Sequence, residues 1–281
     1  MCLNLHRDID QKVLNKKSIY VKILIIGDYM EQLQPHLKLK KGDIAKIVLL
    51  PGDPGRVEKI IKYWDSAKKI SYNREFLIYT GKYKGIPVSV CSTGIGCPSA
   101  AIAVEELANV GAQIFIRIGT CGGLKKEIKP GDLIIPTAAV RAEGTTKEYI
   151  AAEFPAVADL DVVLALEESA QKKKFRYFKG VNRTHDAFYE NVDNLIRWEE
   201  GKIPLVSSEM ECSAVFLVAM LRGLKAGAVL SVNTTEPLET LKENSEAVYE
   251  LIENKDAIEG VDKAIRTALG AVEIIKKRDL V

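Results

Sequence analysis

Short β-branched runs alternate with helically periodic segments along most of this chain, with glycine and proline breaks between them, and few architectures accept that rhythm. Ile44–Leu50 reads as a buried strand, Pro51-Gly-Asp-Pro-Gly55 breaks it, and Arg56–Trp64 follows a helical period. Phe76–Thr80 and Pro87–Ser92 read as strands. Pro98–Val110 reads as a helix with Gly111 at its stop position. Ile114–Ile118 is a further strand, followed by a turn over Gly119-Thr-Cys-Gly-Gly123. Leu133–Ile135 and Ala138–Val140 read as two short strands, Asp161–Lys173 and Glu211–Leu224 as helices, Ala226–Val232 as a strand and Ile258–Lys277 as an amphipathic helix. Such alternation implies an α/β fold with a central sheet and helices on both faces. No internal repeat is visible, so one domain is the simpler organisation.

Composition narrows the classes. With 47% hydrophobic residues in 281, a sizeable core is available. The net charge of +2 is too small and too evenly spread to call for a nucleic-acid partner. Its densest basic run, Lys172–Lys174, reads as a solvated helix end. The five cysteines contain no C-x-x-C pair and the three histidines are scattered, which argues against structural zinc. An odd cysteine count with no disulfide framework suits a reducing cytosol, so a cytoplasmic location is expected. The longest apolar stretches fall well short of the ~20 residues of a membrane span. Residues 1–29 hold one strand-like run, Tyr20–Gly27, and little else. They are expected to be an N-terminal extension, either loose or not part of the native protein, ahead of a domain over residues 30–281 that starts at Met30.

Three motifs carry chemistry. Leu50-Pro-Gly-Asp-Pro-Gly-Arg56 lies between a strand and a helix. Gly52 and Gly55 permit a tight turn and close backbone approach, and the helix start offers free N–H groups and partial positive charge. Arg56 adds a guanidinium suited to phosphate oxygens; an ordinary β-turn with a surface arginine would read the same way. In Phe115-Ile-Arg117-Ile-Gly-Thr120, an arginine sits inside an apolar strand and needs an anion, either a ligand or a buried carboxylate. Thr120 can donate to the same anion. Ser207-Ser-Glu209-Met-Glu211 is read as the start of an apolar helix, where acidic residues are electrostatically favourable. The alternative is that Glu211 accepts hydrogen bonds from paired sugar hydroxyls. Gly94-Ile-Gly96-Cys-Pro-Ser99 lacks the third glycine of a dinucleotide fingerprint, and no Gly-x-x-x-x-Gly-Lys-[Ser/Thr] loop occurs. A nicotinamide cofactor and nucleotide triphosphate hydrolysis are therefore disfavoured.

Together these segments resemble the nucleoside phosphorylase family of hexameric uridine and purine nucleoside phosphorylases, the uridine branch being the nearer. The likeness runs from about residue 36 to about residue 275. It includes Pro-Gly-Asp-Pro-Gly-Arg (51–56), Asn-Arg-Glu-Phe (73–76), Ser-Thr-Gly-Ile-Gly-Cys-Pro-Ser (92–99), Ala-Val-Glu-Glu-Leu (103–107), Phe-Ile-Arg-Ile-Gly-Thr (115–120), Glu-Phe-Pro-Ala-Val-Ala-Asp (153–159), Asp-Ala-Phe-Tyr (186–189) and Glu-Met-Glu (209–211). The resemblance implies a mixed, twisted, partly barrel-like sheet and a pentosyl transfer. Inorganic phosphate is the co-substrate, and no cofactor is required. The implied phosphate ligands are Gly52, Arg56, Arg117, Thr120 and an Arg74 from a neighbouring subunit. His36 reaches across that interface to the ribose 5′-hydroxyl, unless it is a lone surface histidine. Met210 and Glu211 contact the ribose. Phe188, unless it is an ordinary core aromatic, packs on the base beside Cys121, Gly122 and Asn233. Glu75, Ile95 and Ser99 match a potassium site at a dimer interface. The expected assembly is a homohexamer of dimers with shared active sites.

Arg117, Glu211 and Asn233 are the expected catalytic residues, and Arg117→Ala is expected to abolish phosphate-dependent turnover with the fold intact. The base end departs from both branches. The Gln and Arg that the uridine branch carries after the Phe-Tyr pair are absent from Phe188–Asn194, and Thr234 stands where a second Arg is usual. The purine branch carries a proton-donating Asp where Asn233 stands, and an amide cannot be a general acid. A phosphate-independent nucleosidase and a non-catalytic nucleoside-binding protein are the competing readings.

Overall fold

In the computed structural model, residues 33–189, 204–234 and 255–281 are described. The proposed extension 1–29, and residues 190–194 of the departure after Phe188–Tyr189, lie outside them. Ten strands of the described residues join one sheet. They are β1 (Ile47–Pro51), β2 (Ser66–Asn73), β3 (Phe76–Tyr83), β4 (Ile86–Cys91), β5 (Ile114–Gly123), β6 (Leu133–Ala142), β7 (Ala156–Val157), β8 (Tyr177–His185), β9 (Leu205–Glu209) and β10 (Lys225–Thr234). The helices are α1 (Pro54–Ile61), α2 (Cys97–Asn109), α3 (Thr145–Tyr149), α4 (Leu160–Lys172), α5 (Cys212–Leu221) and α6 (Lys255–Lys277).

The sheet closes on itself at one end. Its path runs β10-β6-β8-β9-β5-β1-β4-β3-β2, and β10 also pairs with β5. Five strands therefore form a barrel-like ring, and β1, β4, β3 and β2 extend from it as an open wing. The strand β5 makes this possible by its length. Its first half, Ile114–Ile118, pairs in parallel with β1, while its far end at Gly122–Gly123 pairs antiparallel with β9. Parallel pairs bury both faces, so β1 and most of β5 are continuous runs of buried residues rather than alternating ones.

Helices flank the sheet. α5 is buried along nearly its whole length, as its apolar sequence requires, whereas the amphipathic α6 packs on α4 and β10. Asp53 caps α1 through Gly55 N–H, and Asp159 caps α4 through Val162 N–H. Among the described residues, no helix is long and apolar enough to cross a membrane.

Three differences from the sequence reading have physical causes. Gly119–Gly123 is not a turn but the continuation of β5, because β10 pairs with it as far as Gly122. Leu133–Ile135 and Ala138–Val140 belong to one strand, interrupted by a bulge between Pro136 and Ala138 rather than by a loop. Ser207–Glu209 lies in β9, and the helix starts only at Cys212.

Candidate active site

The loops that follow β1 and β4 meet at the carboxyl ends of parallel strands, where open α/β sheets place ligands. Thr93 N–H donates to Pro51 O and Gly94 N–H to Gly52 O, both at 2.9 Å. Gly94 has φ +69°, and a Cβ there would come within 2.8 Å of Glu75 Cγ, so only glycine fits this crossing. Two residues on, Gly96 N–H donates to Glu211 Oε1 at 2.7 Å. Gly52, the 92–99 segment and Glu211 are thereby brought together from three separate stretches of sequence.

Arg117 sits at the centre of this convergence. It is 4% exposed, and its guanidinium meets both carboxylates of the 209–211 motif. Nε donates to Glu209 at 3.1 Å, Nη2 lies 3.0 Å from Glu209, and Nη2 also donates to Glu211. The guanidinium folds over Gly119, where a Cβ would lie 2.9 Å from Arg117 Cζ. The buried carboxylate that the sequence reading allowed for Arg117 is present twice.

Charge in this cluster is unevenly shared. Burial opposes the Arg117 charge, but Glu211 and Glu209 together outweigh it and hold its pKa above the usual arginine value. Burial would also raise Glu209, yet Arg117, Thr184 and two backbone N–H groups bring its carboxyl below the ordinary value. Burial prevails at Glu211, whose carboxyl is raised despite Arg117, with the charge of Glu209 adding to the rise. Arg56 lies alongside and donates from Nη1 to Ile118 O at 3.0 Å. Burial, and next the nearby positive charge of Arg117, lower its pKa. A nearby anion would relieve the like-charge repulsion between the two guanidiniums.

The residues expected to contact sugar and base surround this centre. Met210 accepts a hydrogen bond from Cys97 Sγ through its carbonyl at 3.3 Å. Thr120, Cys121 and Gly122 lie near the end of β5, opposite Ser231–Thr234 of β10. A register shift between Val232 and Thr234 leaves Asn233 as the extra residue of a bulge beside Cys121 and Gly122. Among the described residues, its Oδ1 is buried without a hydrogen-bond partner. Phe188 is not a core aromatic: it is 53% exposed, edge-on to Tyr189 at 5.1 Å between ring centroids.

A second group of expected residues lies on the β2–β3 hairpin. Arg74 is exposed at its turn, with φ +54°. His36 is anchored rather than lone. Its Nδ1 lies 2.6 Å from Glu106 Oε1, its backbone N–H donates to the same carboxylate, and Asn73 Nδ2 donates to its carbonyl at 2.7 Å. Glu75 Oε1 accepts from Ser99 Oγ at 2.5 Å, and that bond chiefly holds its carboxyl below the ordinary value. Ser99 also donates to Thr93 O. The hydrocarbon side chain of Ile95 has no ligand atom, so only its backbone carbonyl could serve a cation. Carboxylate, hydroxyl and carbonyl oxygens are the donor types a hard cation takes.

Sequence reasoning left two functional-looking residues without a role. Glu209 was grouped with Glu211 but given no task. Glu106, 6% exposed on α2, is an interior charge in an apolar helix, and that was the available signal for it.

Residues 46–266 match the Phosphorylase superfamily. A uridine phosphorylase of Thermococcus kodakarensis is 46% identical over 215 residues, which are 72% of this chain and 77% of that protein. A guanosine phosphorylase of Halorubrum lacusprofundi is 40% identical over 240 residues, 85% of this chain and 98% of that one. The crystal structure of uridine phosphorylase from Vibrio fischeri ES114 superposes with a TM-score of 0.76 at 33% identity, covering 86% of this chain and 97% of that chain. With the match spanning most of its length and the barrel-like sheet carrying the arginine–carboxylate centre, the chain belongs to the phosphorylase superfamily.

Proposed function

We propose that the protein is a nucleoside phosphorylase. It would cleave a nucleoside, uridine in the favoured reading, with inorganic phosphate to give the free base and ribose or deoxyribose 1-phosphate in nucleoside salvage. The observation that carries this reading is a buried Arg117 bonded to an anchored Glu211, with a second guanidinium, that of Arg56, near enough to feel its charge. Phosphate held by Gly52, Arg56, Arg117 and Thr120, with Arg74 from a neighbouring subunit, is both nucleophile and counter-charge. Its oxygen bonds to the anomeric carbon as the carbon–nitrogen bond breaks. The bonding pair leaves with the base, which takes up a proton. Phosphate charge stabilises the positive ribose ring, and no cofactor is needed.

Glu211, Met210 and His36 hold the ribose; Phe188 covers the base at the mouth formed by Cys121, Gly122 and Asn233. A purine nucleoside, or methylthioadenosine, is the second reading. The Halorubrum relative, which is named for guanosine, favours it, whereas Asn233 Oδ1 could accept an N–H from either kind of base. We assign residues 30–281 to the catalytic domain, in a cytoplasmic homohexamer built from dimers. Glu75, Ser99 and the carbonyl of Ile95 are the residues that would hold potassium at the dimer interface. A hydrolytic nucleosidase would have no use for the arginine pair.

The test is release of base from uridine, inosine, adenosine and methylthioadenosine, with and without phosphate. Phosphate-dependent release from uridine is the expected result. Equal release without phosphate would indicate a nucleosidase, and no release from any of the four would indicate a binding protein.

A further inference from the structure

Arg117 has a problem that its substrate cannot solve. Phosphate comes and goes with each turnover, but a guanidinium 4% exposed needs a counter-charge at all times. Glu211 cannot be that permanent partner, since the proposed function requires it to hold the ribose. Glu209 can. It is 5% exposed, and every neighbour fixes it in place. Asn182 Nδ2 and Thr184 Oγ1 both donate to its Oε1 at 2.7 Å. Glu211 N–H and Cys212 N–H donate to its Oε2 at 2.8 and 2.9 Å. Asn182 is itself held by Ser207 Oγ at 2.8 Å, and Thr184 accepts from Ser213 N–H at 3.1 Å.

This is far more support than a lone ion pair requires. A buried carboxylate that had only to neutralise Arg117 would need one or two further donors to satisfy its lone pairs. Here β8, β9 and the start of α5 all contribute, and the carboxylate grips the Nε–Nη2 edge of the guanidinium at 3.1 and 3.0 Å. That grip sets the plane and depth of the guanidinium against Gly119.

We propose that Glu209 is a positioning residue for phosphate, a permanent counter-ion that fixes the orientation of Arg117 without itself touching a substrate. The assignment rests on the phosphorolysis reading of Arg117. It has a consequence that simple charge balance does not share. If Glu209 only screened Arg117, removing its charge would strengthen phosphate binding. If it positions Arg117, removing the charge weakens phosphate binding although the site becomes more positive.

The experiment measures the phosphate KM and the nucleoside KM of the full-length protein, wild type against Glu209→Gln, each also in an Arg117→Lys background. The expected result is a phosphate KM raised about 10-fold, the size of losing one charge-assisted hydrogen bond, with a smaller change in nucleoside KM. In the Arg117→Lys background, Glu209→Gln should add less than about 2-fold, because both changes act through one interaction. A phosphate KM that is unchanged or lower in Glu209→Gln overturns the proposal, as does full additivity. Should that variant not fold, Thr184→Val removes one donor from Glu209 and should raise the phosphate KM about 2- to 5-fold; no change there also overturns it. A wild-type enzyme with no phosphate dependence removes the phosphorolysis reading and this assignment with it, a result separate from an unchanged KM in the variants.

Discussion

Arg117 and Arg74 carry the same guanidinium and are assigned to the same phosphate, yet the chain presents them in opposite ways. Arg117 is 4% exposed between two carboxylates on a strand paired on both sides. Arg74 stands exposed on a two-residue hairpin turn, next to Glu75, and among the described residues it has no salt-bridge partner. The inner region is complete within one chain, and its geometry is over-determined by hydrogen bonds. The outer region is a set of anchored but outward-facing groups, as expected of residues that serve a neighbouring site. The difference teaches that function and stability should be inseparable at the inner region and separable at the outer one.

The largest expected effect follows from Arg117→Ala. Turnover with phosphate should fall about 10³-fold. The expectation that the fold tolerates this change needs amendment, because two buried carboxylates would lose their shared cation. A stability loss of about 3–5 kcal/mol is expected, read by denaturant unfolding. A variant as stable as wild type would break the inner half of the comparison.

Arg74→Ala should cost about 10²-fold in kcat/KM while stability stays within about 0.5 kcal/mol, since the residue is on the surface. Mixing Arg74→Ala subunits with Arg117→Lys subunits should restore activity above either alone, if the site is shared. No gain on mixing would place Arg74 outside the neighbouring site. His36→Ala should raise the nucleoside KM about 10-fold, one hydrogen bond's worth. The same variant should leave the KM of a 5′-deoxynucleoside unchanged; an equal rise for both substrates would remove the 5′-hydroxyl contact.

The smallest effects are in stability against pH, and the two carboxylates on Arg117 should have opposite signs. Burial raises the folded pKa of Glu211, so its contribution is fully present below the unfolded value of about 4.3 and is lost as pH rises through the folded value. The folded pKa of Glu209 is lowered, so its contribution is present above the unfolded value and is lost as pH falls through the folded one. Melting curves across that range should show Glu211→Gln gaining on wild type as pH rises and Glu209→Gln falling behind. Parallel trends would contradict the division of roles between them.

How far the sequence could be read depended on whether the signal was local. Periodicity located β1, α2, α4, α5 and α6 to within a few residues, because burial imposes it segment by segment. It missed β2 and β8, whose faces are polar or half exposed, and cut β5 short at glycines that normally mark turns. Those glycines are in the strand because β10 pairs with them, a long-range fact. At the site, Arg117 was conspicuous as a charge in an apolar run. Its partners were ambiguous because Glu209 and Glu211 lie about ninety residues further on, and nothing in their spacing distinguishes the carboxylate in β9 from the one at the N-terminal end of α5. His36 looked isolated for the same reason, since Glu106 joins it only through the tertiary fold.

Phosphorus NMR of the enzyme with uridine and inorganic phosphate reads phosphorolysis itself. The inorganic phosphate resonance should decline as a sugar 1-phosphate resonance grows, mole for mole with free uracil. Free uracil appearing while inorganic phosphate stays constant would contradict it.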